Sequence, residues 1–326
     1  MADFRKTKTA MAEHIPEDVM INVLERLPVK SLMRFICVSK RWRFIISDPQ
    51  FAKSHYKLSC ENQTIRRRFY LSNSNRFALD SLDFESPSPL LREVRIPFEQ
   101  PGIKYWSLRC SCNGLVCAVV SVSTSAKYHL YIWNPSTGFL KRLPDPSFCV
   151  YSMSVSSGFF GIGYLSATDD YKIIKPGEML SLRANVWKKI HSPLKDLYIP
   201  PEEGIRVNEA LHWFYARTPS IAAFDLATEE FRTMPLPAAL KHTYYAVLDC
   251  SVRLQASVGG CLCAFDFVMF GGSIDFWVMR EYGVADSWAK LFKFNVPVPS
   301  ENIYESERLV VSDTSITLER ANVGFL

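Results

Sequence analysis

The strongest constraint on this chain is that its long C-terminal part repeats itself. NPSTGFLKRLPDP, Asn134 to Pro146, aligns without gaps to DLATEEFRTMPLP, Asp225 to Pro237, at an offset of 91 residues. Midway lies SLRANVWKKI, in which Leu182 and Trp187 fall 44 residues before Leu226 and Phe231 and 47 after Pro135 and Leu140. A second series, Leu115, Leu211 and Leu262 in NGLVCA, EALHWF and GCLCAF, has offsets of 96 and 51. The period is about 45, the length of a blade of four short strands that must stack on its neighbours to bury its faces. The text agrees: from Phe69 onward, short runs rich in Tyr, Phe, Val and Ile alternate with clusters of Pro, Gly, Asn and Asp. Residues 67–326 are therefore expected to form a β-propeller-like domain of about six blades. A β-sandwich with fortuitous internal similarity is the competing architecture.

Residues 14–55 follow a different rule, with apolar positions at helical spacing. Pro16 suits a first helical position, Glu17 and Asp18 complement a helix N-terminus, and Val19, Val23, Leu24 and Leu27 recur at three- and four-residue steps. Pro28 stops that helix. A second is expected around Ser31 to Ile36, and a third capped by Ser39, with Trp42, Ile45 and Ile46 on one face before Asp48 and Pro49 break the pattern. Three helices in so few residues hide little apolar area, so part of this surface is expected to meet a partner. Residues 1–13 read as a basic flexible tail and 56–66 as a linker.

Charge and cysteine usage exclude several classes. Residues 1–100 carry 17 basic and 12 acidic side chains and residues 101–326 carry 21 of each, so the net charge of +5 is all N-terminal. An acidic protein partner fits that excess; the run Arg66, Arg67, Arg68 lacks aromatic interleaving or a reading helix, so no nucleic-acid partner is expected. The longest apolar stretch, Cys261 to Gly272, is broken by Asp266 and is too short for a membrane helix, and no apolar core follows Arg5, Lys6 and Lys8 as a secretory signal requires. Cytosol or nucleus is the expected address. The nine cysteines are an odd number without a disulfide spacing, and Cys110/Cys112 and Cys261/Cys263 are C-x-C pairs that a strand places on one face rather than C-x₂-C metal units. Reduced, mostly buried thiols and no metal are expected.

No catalytic constellation is legible. Gly158, Gly161 and Gly163 run G-x-x-G-x-G without a following helix, so they read as a strand opening before a turn at Ala167 to Asp170, with Asp169 and Asp170 as turn formers. The histidines stand scattered at 14, 55, 129, 191, 212 and 242, and His212, alternating with Leu211 and Trp213, reads as a packed strand histidine. No cofactor is expected.

Ile15-Pro16, Leu24, Leu27-Pro28, Leu32, Val38, Lys40, Trp42, Ile46 and Phe51 resemble the F-box consensus, in order and without gaps, with Ile15 and Ser39 standing where leucine and cysteine are frequent. The repeats resemble the F-box-associated domain of a large plant receptor family through CNGL, YIWNPSTG, GFFGIGY with DDYK, NEALHWF, AAFDLATEEF and DFWVMREYGVADSW, over about residues 105 to 295. They depart from it where Lys172 to Arg183 is compressed around Pro176 and Gly177, and where the chain stops at Leu326, so an incomplete last blade is expected. The resemblance implies a non-catalytic substrate-recognition subunit of a Skp-cullin-F-box ubiquitin ligase. In it Ile15, Pro16, Leu24, Leu27, Pro28 and Leu32 contact a Skp-type adaptor, which leads to a cullin scaffold. Val38 and Trp42 are partly core and partly interface, and the repeats hold a protein substrate. The alternatives are a propeller lectin or hydrolase with Trp106, Trp133 and Trp213 as a sugar-stacking floor, and an adaptor-binding scaffold that delivers no substrate.

Overall fold

The computed structural model describes residues 15–62, 68–73, 78–83, 92–98, 102–122, 128–146, 159–192, 203–215, 218–240, 252–256, 259–266, 272–296, 306–311 and 316–321. The 1–13 tail, His14, Arg66, Arg67, Cys149, Gly158, His242 and Cys250 lie outside the described residues. The chain divides into two compact units, Met1–Phe69 with Leu82–Leu90, and Tyr70–Ser81 with Leu91–Leu326.

The described residues of the first unit form four helices rather than three: α1 (Glu17–Leu24), α2 (Val29–Phe35), α3 (Lys40–Ile46) and α4 (Pro49–Glu61). Pro16 sits just before α1, not inside it, and Pro28 stands in the same relation to α2, each with extended backbone. Ser39 caps α3 as expected, its Oγ accepting from the Trp42 N–H at 3.1 Å. Asp48-Pro49, expected to end the helical pattern, starts a helix instead. Asp48 Oδ1 accepts from the Gln50 N–H at 2.7 Å, and proline at a first helical position forfeits no bond. Helix α4 then runs into the stretch expected to be linker. Leu24, Leu32, Ile45 and Phe51 form the core, with Met20, Ile21, Leu27, Phe35, Trp42 and Ile46 packed against it.

The second unit is built of antiparallel sheets whose strands pair in chain order. The first is β1 (Arg68–Asn73), β2 (Ala78–Asp83) and β3 (Arg92–Val94). Four four-stranded sheets follow: β4 (Ile103–Cys112) to β7 (Leu140–Arg142) through β5 (Leu115–Val122) and β6 (Tyr128–Trp133); then β8 (Gly161–Leu165), β9 (Asp170–Lys175), β10 (Glu178–Ser181) and β11 (Val186–Lys189). The next are β12 (Ile205–Val207), β13 (Ala210–Tyr215), β14 (Ser220–Asp225) and β15 (Glu230–Met234), and β16 (Val252–Ala256), β17 (Leu262–Asp266), β18 (Gly272–Met279) and β19 (Trp288–Val296). A pair, β20 (Ser306–Val311) and β21 (Ile316–Ala321), comes last. The first strands β4, β8, β12 and β16 contact one another in succession, as blades around an axis require, and not as two face-packed sheets do.

The repeat has a local cause. In three successive sheets the turn between third and fourth strands is the same five residues: Asn134–Gly138, Ser181–Asn185 and Asp225–Glu229. The side chain of the first residue caps the turn: Asn134 Oδ1 accepts from the N–H groups of Ser136 and Thr137 at 2.9 and 3.1 Å, and Asp225 Oδ1 from Ala227 and Thr228 at 2.8 and 2.9 Å. Ser181 Oγ does so for Ala184 at 3.0 Å. The fifth residue returns its N–H to the carbonyl of the first and has positive φ: 75° at Gly138, 56° at Asn185 and 60° at Glu229. Glutamate is strained there, at a cost of about 1–2 kcal/mol. Its carboxylate is held by Lys172 at 2.8 Å and by Lys188.

Between sheets lie separate apolar layers. Cys110, Cys117, Leu130 and Ile132 face Ile162, Ile173 and Leu180; Ile174 and Met179 face Leu211, Trp213 and Phe224; and Val207, Phe214 and Ile221 face Val252, Leu262 and Ala264. Glycines let the second of these layers close. A Cβ on Gly161 or Gly204 would lie 2.6 or 2.5 Å from Trp213, and one on Gly163 would lie 2.5 Å from Leu226. Tryptophans latch one fourth strand to the next: Trp187 Nε1 donates to the Pro144 carbonyl at 2.8 Å and Trp288 Nε1 to Pro235 at 3.0 Å. The solvent sides of β7, β11, β15 and β19 carry exposed Lys141, Arg142, Lys188, Lys189, Arg232, Lys290 and Lys293 against one acid, Glu230.

Candidate functional site

The helical unit keeps a large share of its apolar side chains out of its own core. Ile15 is 58% exposed, Val23 55%, Val38 59% and Phe44 74%, while among the unit's described residues the buried apolar core is Leu24, Leu32, Ile45 and Phe51. An ion pair from Arg41 to Glu17, 3.1 Å, fastens the start of α3 to the start of α1. Ile15 and Pro16 stand just before α1, and Val38 just before α3, next to the two helix starts that this ion pair joins. His55 Nε2 donates to the Leu27 carbonyl at 2.8 Å and pins the turn carrying Leu27 and Pro28 to α4.

The residues named for adaptor contact therefore divide. Ile15, Pro16, Pro28 and Val38 are on the surface, Leu27 and Trp42 are half-buried on the core's margin, and Leu24 and Leu32 are inside it at 0% and 4% exposure. The last two serve packing in this unit. Phe44 was not singled out by sequence. It lies beside Lys40 and Arg43 over a shallow recess that reaches Asp48 and Pro49. Its signal was the mismatch of an aromatic one position ahead of the Ile45-Ile46 face.

In the second unit the described residues that the sequence singles out for chemistry have structural partners or surroundings. His212 is fully buried; its Nδ1 donates to the Ile205 carbonyl at 2.9 Å, and its Nε2 accepts from the Tyr282 hydroxyl at 2.8 Å. Burial, aided by the Arg232 cation, holds it down to about 4, so the ring is neutral at physiological pH. Trp106, Trp133 and Trp213, at 7%, 3% and 1% exposure, are core residues and offer no sugar-stacking floor. Asp169 is a turn former, with φ 52° and its carboxylate accepting from Tyr164. Asp170 is more than that: it opens β9, buried, and accepts from the Ser181 hydroxyl at 2.6 Å and the Arg183 N–H at 2.9 Å, tying one turn to the next. Cys110 and Cys112 share one apolar layer, and burial pushes both thiols up. Among the described residues no group of three or more His, Cys, Asp or Glu side chains could hold a metal ion.

A small helical unit with exposed apolar residues, followed in the chain by four-stranded antiparallel sheets stacked as propeller blades, defines the architecture of a helical module with a β-propeller. The comparisons agree. Residues 13–54 match the F-box domain and residues 67–322 the F-box associated beta propeller domain. The chain belongs to the family of F-box proteins with an F-box associated β-propeller domain. Among curated relatives, the F-box protein CPR1 of Arabidopsis thaliana is 30% identical, over 91% of this chain and 77% of its own length. An Arabidopsis F-box/kelch-repeat protein is 27% identical, over 87% of this chain and 81% of its own. An F-box in general implies a Skp1-type adaptor as partner.

Proposed function

We propose that this chain is the substrate receptor of a Skp-cullin-F-box ubiquitin ligase, gripping the adaptor with its helical unit and a target protein with its propeller. The observation that carries the proposal is the apolar surface at the start of α1 and α3. Ile15, Pro16 and Val38 stand exposed there, and solvent contact of that kind in a small unit is relieved by a partner. Ile15, Pro16, Pro28 and Val38 would make the direct contacts, Leu27 and Trp42 would contribute from the margin, and Leu24 and Leu32 would hold the helices in place behind them.

The contribution to ubiquitin transfer is then proximity. Two proteins held on one scaffold react at a raised effective concentration, and the transferred thioester belongs to other subunits. Co-expression of the full chain with a Skp-type adaptor and a cullin should yield a stable assembly. Cells expressing the Ile15→Asp, Val38→Asp form should accumulate proteins that still bind its repeats. Recovery of the chain free of adaptor under these conditions would overturn the assignment.

A further inference from the structure

The turn between α1 and α2 carries Leu27, half-buried on the margin of the core, and Pro28, exposed beside it. The Leu27 N–H returns to the Leu24 carbonyl at 3.0 Å, which closes the end of α1. Helix α2 offers the Leu27 carbonyl no such partner: the N–H groups of Ser31 and Leu32, which come next within reach, both go to the Pro28 carbonyl, at 2.8 and 3.2 Å. Its donor lies 28 residues further on, where His55 Nε2 reaches it at 2.8 Å. A carbonyl only accepts, so Nε2 carries the hydrogen.

Helix α4 aims this side chain. His55 follows Phe51 by one turn, so the two lie on the same side of the helix, and the imidazole rests beside the buried phenyl ring with centroids 6.2 Å apart and 31° between planes. The Ser59 hydroxyl donates to the His55 carbonyl at 2.8 Å, one turn later. His55 stands one residue beyond the F-box match, which stops at residue 54. The bond thus joins the motif to a helix that outlasts it.

What the bond fixes is a plane. The Leu27 carbonyl shares one planar peptide unit with the Pro28 nitrogen, and the proline ring is built on that nitrogen. Holding the oxygen against α4 therefore sets the plane from which Leu27 and Pro28 project. We infer that His55 is a positioning residue for adaptor binding, acting through the Leu27–Pro28 peptide rather than by touching the adaptor, and that the adaptor-binding module of this chain extends into α4. The inference rests on the receptor function proposed above.

The test measures the affinity of the purified full chain for a Skp-type adaptor by titration calorimetry, with thermal unfolding of each variant alongside. His55→Met keeps the reach of the side chain but has no N–H, and should weaken binding about two- to tenfold, the scale of one neutral hydrogen bond, in a protein that still folds. His55→Gln, whose amide N–H can reach the same carbonyl, should restore most of the affinity. A double-mutant cycle separates positioning from a general loss of structure: His55→Met should couple to Pro28→Ala, since both act on one peptide plane, and should add independently to Ile15→Ala, at the other end of α1. Wild-type affinity in His55→Met, an equal loss in His55→Gln, or equal coupling to Ile15 and Pro28 would overturn the positioning role while the receptor function stands. So would a His55→Met chain that fails to fold, because the bond would then hold the unit together rather than aim its turn. A folded wild-type chain that takes up no adaptor would remove both.

Discussion

Truncation of Ile15 and Val38 together to alanine measures how much the helical unit gains from a partner. Fully burying an isoleucine or valine side chain contributes about 1.5–3 kcal/mol. Folding leaves 58% of Ile15 and 59% of Val38 exposed, so about 1–2 kcal/mol remains available at each when an adaptor covers them. The double variant should bind a Skp-type adaptor about 30- to 700-fold more weakly by titration calorimetry, at about 1.4 kcal/mol per tenfold. Its own melting temperature should hardly move, because neither residue packs on the Leu24, Leu32, Ile45 and Phe51 core. Leu24→Ala is the counter-example: at 0% exposure it should cost about 2–5 kcal/mol of stability and lose binding only by unfolding. Leu27→Asp would confound the two effects, since Leu27 lies against the core. Wild-type affinity in a folded Ile15→Ala, Val38→Ala protein would refute the reasoning.

His212 makes stability depend on pH: the unfolded ring gains a proton below its ordinary 6.5 while the folded ring resists until about 4, so stability is full above pH 6.5 and declines between 6.5 and 4. The decline approaches about 3 kcal/mol; urea unfolding across that range should show it in the wild type minus His212→Gln difference, and equal slopes would contradict it. Lys175 and Glu178 form an ion pair at 2.6 Å with 2% and 1% exposure, so Glu178→Gln should destabilise by about 3–5 kcal/mol. Lys175→Met with Glu178→Leu should recover most of that in thermal unfolding, and a double variant as weak as the single would count against it. Gly163→Ala should cost about 1–3 kcal/mol in urea unfolding because its Cβ would meet the fully buried Leu226; wild-type stability would show that layer to be looser than described.

The parts of the fold legible in sequence are those with local causes. Asn134, Ser181 and Asp225 each cap a turn, and Gly138, Asn185 and Glu229 each accept positive φ, so three sheets left matching text at a readable period. Other features depended on contacts far along the chain. Asp170 belongs to a turn by sequence but to Ser181 and Arg183 by structure. Asp48-Pro49 is ambiguous in principle, since the same pair ends one helix and opens another, and only the Phe51 packing of α4 decides. The residues proposed to face the adaptor were legible as a motif and not as a surface. Periodicity marks Leu24 and Val23 alike as apolar, whereas 0% against 55% exposure separates the one that packs from the one left outside.

The cations on β7, β11, β15 and β19 bear on how this protein behaves in a crowded cell. A radial sheet ends in an outermost strand with a free row of N–H and C=O groups, which is a template for pairing with any other open strand. Four such rims on one molecule could join copies into chains. Arg142, Lys188 and Lys290 are neutralised by Asp145, Glu229 and Asp275, but Lys141, Lys189, Arg232 and Lys293 add one further exposed cation to each rim, and two copies approaching edge to edge would bring cation against cation. A chain proposed to hold other proteins is thereby discouraged from holding itself.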